Sequence, residues 1–191
     1  RQTMTIIAAR PSMGKTSLAF QMARNAAAAG SKVMFFSLEM SKEALWARAV
    51  CGMVEVDYRD VLNKSLSPEK MNLLHKTSTD LAATYSPNLI IEDASKITLE
   101  DIWRRVARYQ PDIVFVDHQK LITHPETNLV SRAGMVAWGL KQVCKEHNLA
   151  MVMLQQLNRG VEQRENKRPD MSDLRESGEL EEIADNIIFI Y

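Results

Sequence analysis

Short apolar runs alternate with longer amphipathic stretches along this chain. Runs rich in Val, Ile, Met and Phe are typical of buried strands, and they lie at 4–9, 32–38, 88–93, 112–117, 150–155 and 186–191. Helical patterns fill the intervals, at 15–29, 41–53, 65–83, 98–109 and 129–147. This alternation predicts an α/β fold: a doubly wound, mostly parallel sheet with helices on both faces.

Capping signals support several of the predicted helices. Ser67 is a candidate N-cap and Pro68 follows it at the first helical position. Thr98 with Asp101 comes close to a capping box. The long polar interval at 156–173 has no such pattern. A loop of that length in a compact domain is usually functional or disordered.

The segment "AARPSMGKTSLAF" (8–20), between the first strand and the first helix, is typical of a phosphate-binding loop. Backbone N–H groups of such a loop, with the positive helix N-terminus, hold phosphates. We expect Lys15 to reach the β- and γ-phosphates and the Thr16 hydroxyl to bind Mg²⁺. The motif normally starts with glycine where this chain has Ala9, and a methyl group is tolerated there if the backbone stays in the β region. The predicted nucleotide-binding residues are Ala9, Arg10, Pro11, Ser12, Met13, Gly14, Lys15, Thr16 and Ser17.

Carboxylates follow two of the predicted strands, Glu39 after 32–38 and Asp117 at the end of 112–117. Ligands of doubly wound sheets bind beyond the carboxyl ends of the strands. We therefore expect Asp117 to order Mg²⁺ and Glu39 to polarise the attacking water. The structural alternative for each acid alone is a helix N-cap or a solvated strand end, but the presence of the pair on strands either side of a parallel-sheet cleft favours a functional site. Gln155 and Gln156 end the next strand, and a glutamine there could contact the γ-phosphate.

The composition limits the functions and locations that are expected of this chain. The 191 residues carry 24 Lys and Arg against 24 Asp and Glu, so a globally basic nucleic-acid binder is not indicated, although a local basic patch remains possible. Cys51 and Cys144 lack metal-ligand spacing and are expected to be buried thiols in a reducing cytosol. No apolar run approaches the about 18 residues of a membrane span. We expect no membrane partner and a cytoplasmic location.

Three segments together resemble the RecA-like motor domain of the DnaB family of hexameric replicative DNA helicases. They are "AARPSMGKT", "FFSLEM" and "QLNRGVEQRENKRPDMSDLRESGELEEIADNIIFIY". The resemblance covers essentially the whole chain, keeps the motif order and includes alanine at position 9. It implies a RecA-like P-loop NTPase fold and an ATP-dependent DNA helicase that translocates on single-stranded DNA and unwinds duplex at the replication fork. ATP and Mg²⁺ are the implied cofactors, and a homo-hexamer, a primase and a helicase loader the implied partners.

The resemblance also implies roles for individual residues. Lys15 and Thr16 match the residues that bind phosphate and Mg²⁺. Glu39 matches the catalytic base, Asp117 the Mg²⁺-associated aspartate and Gln156 the γ-phosphate sensor.

Arg175, Glu176 and Gly178, in "LRESGEL", match a loop that lines the channel of the ring and contacts the phosphates of the single strand. A motor that moves on any sequence should hold phosphates through backbone amides and a few cations. Without the resemblance, the same segment would be interpreted as a solvated helix face.

The chain is expected to depart from the family pattern in three places, two within the sequence and the third at its C-terminal end. After the aspartate it has His-Gln-Lys-Leu at 118–121, where the family usually has Tyr-Leu-Gln-Leu. We expect His118 to be an ordinary strand-end histidine and Lys120 to alter the detail of phosphate sensing. Ala137-Trp138 replaces Ser-Arg, so the contact that the family's arginine makes is not expected here, and Trp138 is expected to be packed rather than stacked on a base.

We expect residues 1–191 to form one RecA-like motor domain, incomplete at its C-terminal end, with the family's arginine finger beyond 186–191 and its N-terminal domain and linker absent. Two other functions stay open: a recombinase-like DNA-dependent ATPase, and a nucleotide-switched loader or regulator. The "LRESGEL" segment favours the helicase. The joint presence of Glu39, Asp117 and Gln156 argues against a pure switch.

Overall fold

The computed structural model describes residues 1–126, 128–158, 160–161, 164–174 and 177–191. The strands are β1 (Met4–Ala9), β2 (Val33–Ser37), β3 (Leu89–Glu92), β4 (Ile97–Thr98), β5 (Ile113–Asp117), β6 (Ile122–Thr123), β7 (Ala150–Gln156) and β8 (Asn186–Ile190). The α-helices are α1 (Lys15–Ala28), α2 (Lys42–Met53), α3 (Tyr58–Leu62), α4 (Pro68–Tyr85), α5 (Leu99–Tyr109), α6 (Leu129–Glu146) and α7 (Ser177–Ile183).

Within this part of the chain, six strands form one sheet in the order β3-β2-β5-β7-β1-β8. Every neighbouring pair in it is parallel. The six predicted strands are these six, so the predicted doubly wound sheet is confirmed. β4 and β6 pair separately in a two-stranded sheet, which the sequence did not predict because two-residue strands show no period.

Two apolar clusters cover the two faces of the sheet. Successive side chains of a strand point to opposite faces, so Phe35 and Phe36 of β2 belong to different clusters. The cluster around Phe35 includes residues of α1, α2 and α4. The cluster around Phe36 includes residues of α5, α6 and α7. Helices therefore lie on both faces, as the sequence predicted.

The predicted helix starts are confirmed at the level of single hydrogen bonds. The Ser67 side chain accepts the N–H of Lys70 ahead of Pro68. Thr98 and Asp101 form a complete capping box at the start of α5. These bonds satisfy N–H groups that the first turn of a helix cannot pair internally.

Two expectations about single residue types have different outcomes. Cys51 and Cys144 are both free and buried as predicted, and burial raises the pKa of each thiol. The expectation that Trp138 is packed is wrong, because 48 % of it is exposed on α6. Among the described residues, no helix combines the length and the apolar character needed to cross a membrane.

Candidate nucleotide-binding site

The loop between β1 and α1 has the backbone that a phosphate-binding loop needs. Ala9 is the last residue of β1, fully buried, and pairs with Gln156 of β7 and Ile190 of β8. It therefore keeps the extended conformation in which a methyl group is tolerated. Gly14 is the N-cap of α1, and its carbonyl accepts the N–H of Leu18 at 2.9 Å.

Gly14 is required by the backbone and not by lack of space. Its φ is +83°, a value that side chains other than hydrogen disfavour. A Cβ added there would meet no atom within 4 Å. The left-handed conformation at Gly14 lets α1 begin at Lys15, and the N-terminus of a helix is suited to bind phosphate.

Lys15, Thr16 and Asp117 meet at the carboxyl edge of the sheet. The Thr16 hydroxyl donates to Asp117 Oδ2 at 2.6 Å. Lys15 Nζ lies 3.4 Å from Asp117 Oδ1. Both members of that ion pair are buried, and Oδ1 has no hydrogen bond from the described residues. Buried charged groups are costly unless they are paired, as Lys15 and Asp117 are here.

These groups fit a magnesium ion. Mg²⁺ prefers oxygen ligands and is usually held by one or two protein groups together with phosphates and water. Thr16 Oγ1 and Asp117 offer such oxygens side by side, and Asp117 keeps one oxygen free of hydrogen bonds. The described ranges contain no cluster of three or more His, Cys, Asp or Glu side chains that could hold a metal ion.

Glu39 lies in a turn that the end of β2 holds in place. The Ser37 hydroxyl donates to the carbonyl of Met40 at 2.7 Å, which folds the turn back. The N–H of Leu38 donates to the carbonyl of Asp117 at 2.7 Å. The Glu39 carboxylate remains 53 % exposed. Both predicted acids thus lie at the same edge, one buried and one open to solvent.

His118 lies beside Glu39. Its Nε2 is 3.9 Å from Glu39 Oε2, and only 12 % of its side chain is exposed. Burial, with a contribution from the positive charge of Lys15, lowers the pKa of His118. The expectation of an ordinary strand-end histidine did not include this contact.

The two glutamines at the end of β7 point to opposite faces of the sheet. Gln156 is half-buried and lines the cleft beside the loop between β1 and α1. Gln155 is fully buried, and its Oε1 accepts a hydrogen bond from Gln119 Nε2 at 3.1 Å. The geometry therefore leaves Gln156 as the glutamine that faces the predicted phosphate position.

A cleft of about 380 Å³ brings most of the predicted residues together. Its lining consists of Arg10, Pro11, Ser12, Gly14, Lys15, Thr16, Ser17, Glu39, Met40, Arg48 and Gln156. The sequence analysis did not predict Arg48 as a site residue. Arg48 lies on α2, and its guanidinium is 5.4 Å from the centre of the Tyr58 ring. No sequence motif marks an arginine nine residues after Glu39 as a site residue. Only the prediction that α2 starts just after the turn could have placed Arg48 near the predicted phosphate position.

The predicted DNA-binding segment is described only in part. Arg175 and Glu176 lie outside the described residues, and Gly178 is exposed in α7. The described residues that end at Leu174, just before Arg175, are joined to the end of β7, because Leu157 and Leu174 form a β-bridge. The N–H of Asn158 donates to the carbonyl of Asp173 at 2.9 Å.

Ion pairs of Arg164 stabilise the segment just before Leu174. Arg164 contacts Asp170 at 2.7 Å and also pairs with Asp173. Hydrogen bonds from Ser172 and Arg164 lower the pKa of Asp170 to about 2.

Known proteins resemble both the sequence and the structure. The model of the family described as DnaB-like helicase C terminal domain matches residues 1–191. The chain is 37 % identical over 205 residues to the replicative DNA helicase DnaB of Rickettsia felis, covering 98 % of this chain and 41 % of that protein. It is 32 % identical over 199 residues to the DnaB of Geobacillus stearothermophilus, covering 100 % of this chain and 43 % of that protein.

Two solved structures share the fold. One, an ATPase domain, superimposes with a TM-score of 0.86 at 31 % identity, covering 100 % of this chain and 69 % of that one. The other, a DnaB-like replicative helicase solved in a study of its interactions with primase, gives 0.85 at 32 % identity, covering 99 % and 47 %. The chain thus spans about two fifths of the length of the curated relatives it matches. With the family's sequence pattern matched from end to end and its fold shared, the chain belongs to the DnaB-like helicase C-terminal domain family.

Proposed function

We propose that this chain is the ATP-hydrolysing motor domain of a replicative DNA helicase. One observation carries the proposal: Lys15, Thr16 and Asp117 meet at the edge of the sheet where Glu39 and Gln156 line the same cleft. This arrangement supports the proposal because groups suited to bind phosphate and Mg²⁺ lie close to a carboxylate that could act as a base. A protein that only bound nucleotide would not need the base.

Each residue has a defined task in this proposal. The N–H groups of the loop ending at Gly14, with Lys15, bind the β- and γ-phosphates. When bound, Mg²⁺ would supply positive charge that neutralises the phosphates. Asp117 and Thr16 would hold it. Glu39, the exposed carboxylate, would orient and polarise the attacking water, and Gln156 would contact the γ-phosphate.

Gln156 also starts the polar interval 156–173, which leads to the segment proposed to bind DNA. The bridge between Leu157 and Leu174 ties the residues just before Arg175 to the end of β7. When the γ-phosphate is lost, a change in the position of Gln156 would therefore be transmitted to within a few residues of Arg175, Glu176 and Gly178. We propose that these three residues hold the phosphates of single-stranded DNA without reading its bases.

The remaining partners are those of the full-length protein. We propose a homo-hexamer that acts with a primase and a helicase loader in the cytoplasm. The support is family membership and similarity to a structure whose description names primase interactions. The recombinase-like ATPase and the nucleotide-switched loader are not favoured, because the matched relatives are named replicative DNA helicases.

Strand separation by the full-length protein tests the function. With ATP and Mg²⁺ it should unwind a forked DNA duplex, and Lys15→Ala should abolish unwinding. Lys76→Ala, on the exposed face of α4, is the matched control and should unwind normally. Binding to the fork without any strand separation by the wild-type protein would reject the helicase in favour of one of the alternatives.

A further inference from the structure

Glu39 is held less firmly than the other proposed catalytic groups. Lys15, Thr16 and Asp117 bind one another, whereas the Glu39 carboxylate is 53 % exposed. Within the described part of the chain, its nearest cationic or imidazole group is His118, at 3.9 Å from Nε2 to Oε2. A general base that rotates freely is aligned with its water for only part of the time, so a fixed neighbour has a direct effect on rate.

The backbone fixes His118 against the turn that carries Glu39. Ser37 and Asp117 are paired in the β2–β5 register. The N–H of Leu38 donates to the carbonyl of Asp117 at 2.7 Å. Glu39 and His118 follow directly after these contacts along the two chain segments, so the contacts place them side by side. The chain around His118 is held on its other side too, because its carbonyl accepts the N–H of Leu121 at 3.1 Å.

The chemistry of the imidazole suits this place. A neutral imidazole donates one hydrogen bond through the ring nitrogen that carries the proton. The present 3.9 Å separation is longer than a hydrogen bond. Catalytic hydrogen bonds are commonly long before substrate binds and shorten in the reacting complex. A largely buried side chain on a braced backbone brings a donor close to Glu39 with little freedom of its own.

We propose that His118 is a positioning residue for Glu39: its Nε2–H donates to the Glu39 carboxylate when the site closes on nucleotide and fixes the orientation of the base. His118 does not itself transfer a proton. The inference rests on the proposed function, because it assigns a role toward the base of that reaction. It also predicts which residues can replace His118, namely those whose side chain can bring a hydrogen-bond donor to the Glu39 carboxylate.

Two matched pairs of variants test this in the full-length protein, with steady-state ATP hydrolysis as the readout. Gln and Met have nearly the same length, but only Gln has a donor near the position of Nε2. Tyr and Phe differ by a single hydroxyl group. We expect H118Q and H118Y to keep at least about half of the wild-type kcat, and H118M and H118F to lose about tenfold or more. The KM for ATP should stay within about twofold in all four, because Glu39 acts on water and not on binding.

Thermal unfolding and nucleotide binding, measured on the same four variants, separate positioning from folding. A purely structural role would lower the melting temperature and kcat together, whether or not a donor is present. Equal kcat in donor and non-donor variants of both pairs would overturn the proposal. Glu39→Gln is the reference for the function itself. If E39Q turns over normally, the base assignment fails; if E39Q is inactive while H118M and H118F are fully active, only the role of His118 fails.

Discussion

The Thr16 hydroxyl lies 2.6 Å from Asp117 Oδ2, although the two residues are 101 positions apart in sequence. Thr16 lies in the first turn of the helix after the first strand, and Asp117 ends a strand separated from β1 by β7. Their contact is possible because the parallel strands present their carboxyl ends at one edge. The contact forms the centre of the proposed magnesium site.

Removal of the Thr16 hydroxyl should weaken magnesium-dependent nucleotide binding. Thr16→Val keeps the shape of the side chain but loses the oxygen ligand. We expect the Kd for ATP in the presence of Mg²⁺ to rise about tenfold or more, which corresponds to about 1.4 kcal/mol. Titration with a fluorescent ATP analogue, with Mg²⁺ and with chelator, measures it. Thr16→Ser should bind normally, and unchanged Mg²⁺-dependent affinity in T16V would contradict the proposed ligand.

Gly14 and Gly30 both have a backbone conformation in which any other residue would be strained. Both have positive φ, +83° and +91°, and at both an added Cβ would have open space. Gly14→Ala and Gly30→Ala should each cost about 1–2 kcal/mol of unfolding free energy, measured by urea denaturation. Only G14A should also weaken nucleotide binding, since Gly30 lies at the far end of α1. Equal loss of nucleotide affinity in both would show that the effect of G14A is global.

The buried pair of Gln119 and Gln155 should behave as a unit in stability. Either single substitution, Gln119→Met or Gln155→Met, leaves a buried polar partner behind and should cost about 1–3 kcal/mol. The double substitution removes both partners of the 3.1 Å bond. Its cost should be smaller than the sum of the single costs. Strict additivity in the double-mutant cycle would show that the bond contributes nothing.

The pair of Lys141 and Asp185 predicts a dependence of stability on pH. A hydrogen bond from Lys141, and a second from the N–H of Met4, hold the pKa of Asp185 below its ordinary value of 3.8. The folded state therefore binds this proton less readily than the unfolded chain. The stabilisation is complete above the unfolded pKa and disappears as the pH falls through the folded value.

Asp185→Asn should thus lower the unfolding free energy at pH 7 and have progressively less effect as the pH falls below about 4. The Asp185 side chain is 42 % exposed, and solvent screening limits the difference at pH 7 to about 1 kcal/mol. Urea denaturation at several pH values, beside wild type, measures it. A difference that stays constant down to about pH 2.5 would contradict the ion pair as its cause.

Much of the fold was predictable because parallel strands buried on both faces leave continuous apolar runs. Caps such as Ser67 and the box at Thr98 act locally, so they are visible in sequence. The position of the phosphate-binding loop followed for the same reason, since it joins a strand to a helix. The acids at the ends of β2 and β5 could be placed at one edge from the topology alone.

Contacts between side chains far apart in sequence were not predictable. The bond from Gln119 to Gln155 and the placement of Arg48 on the cleft depend on how separate elements pack. Trp138 was expected to be packed rather than stacked on a base, but it lies on the exposed side of α6. The neighbourhood of His118 and Glu39 follows from the β2–β5 register, which an apolar pattern alone does not fix.

The most direct measurement is ATP hydrolysis by the full-length protein with and without single-stranded DNA, comparing wild type with Glu39→Gln. Glu43→Gln, at an exposed position in the first turn of α2, is the control. The account predicts that DNA stimulates the wild type and E43Q, and that E39Q binds ATP with near-normal affinity but hydrolyses it at least about a hundredfold more slowly. Hydrolysis by E39Q at the wild-type rate, or a wild-type rate unaffected by DNA, would contradict a DNA motor driven by this site.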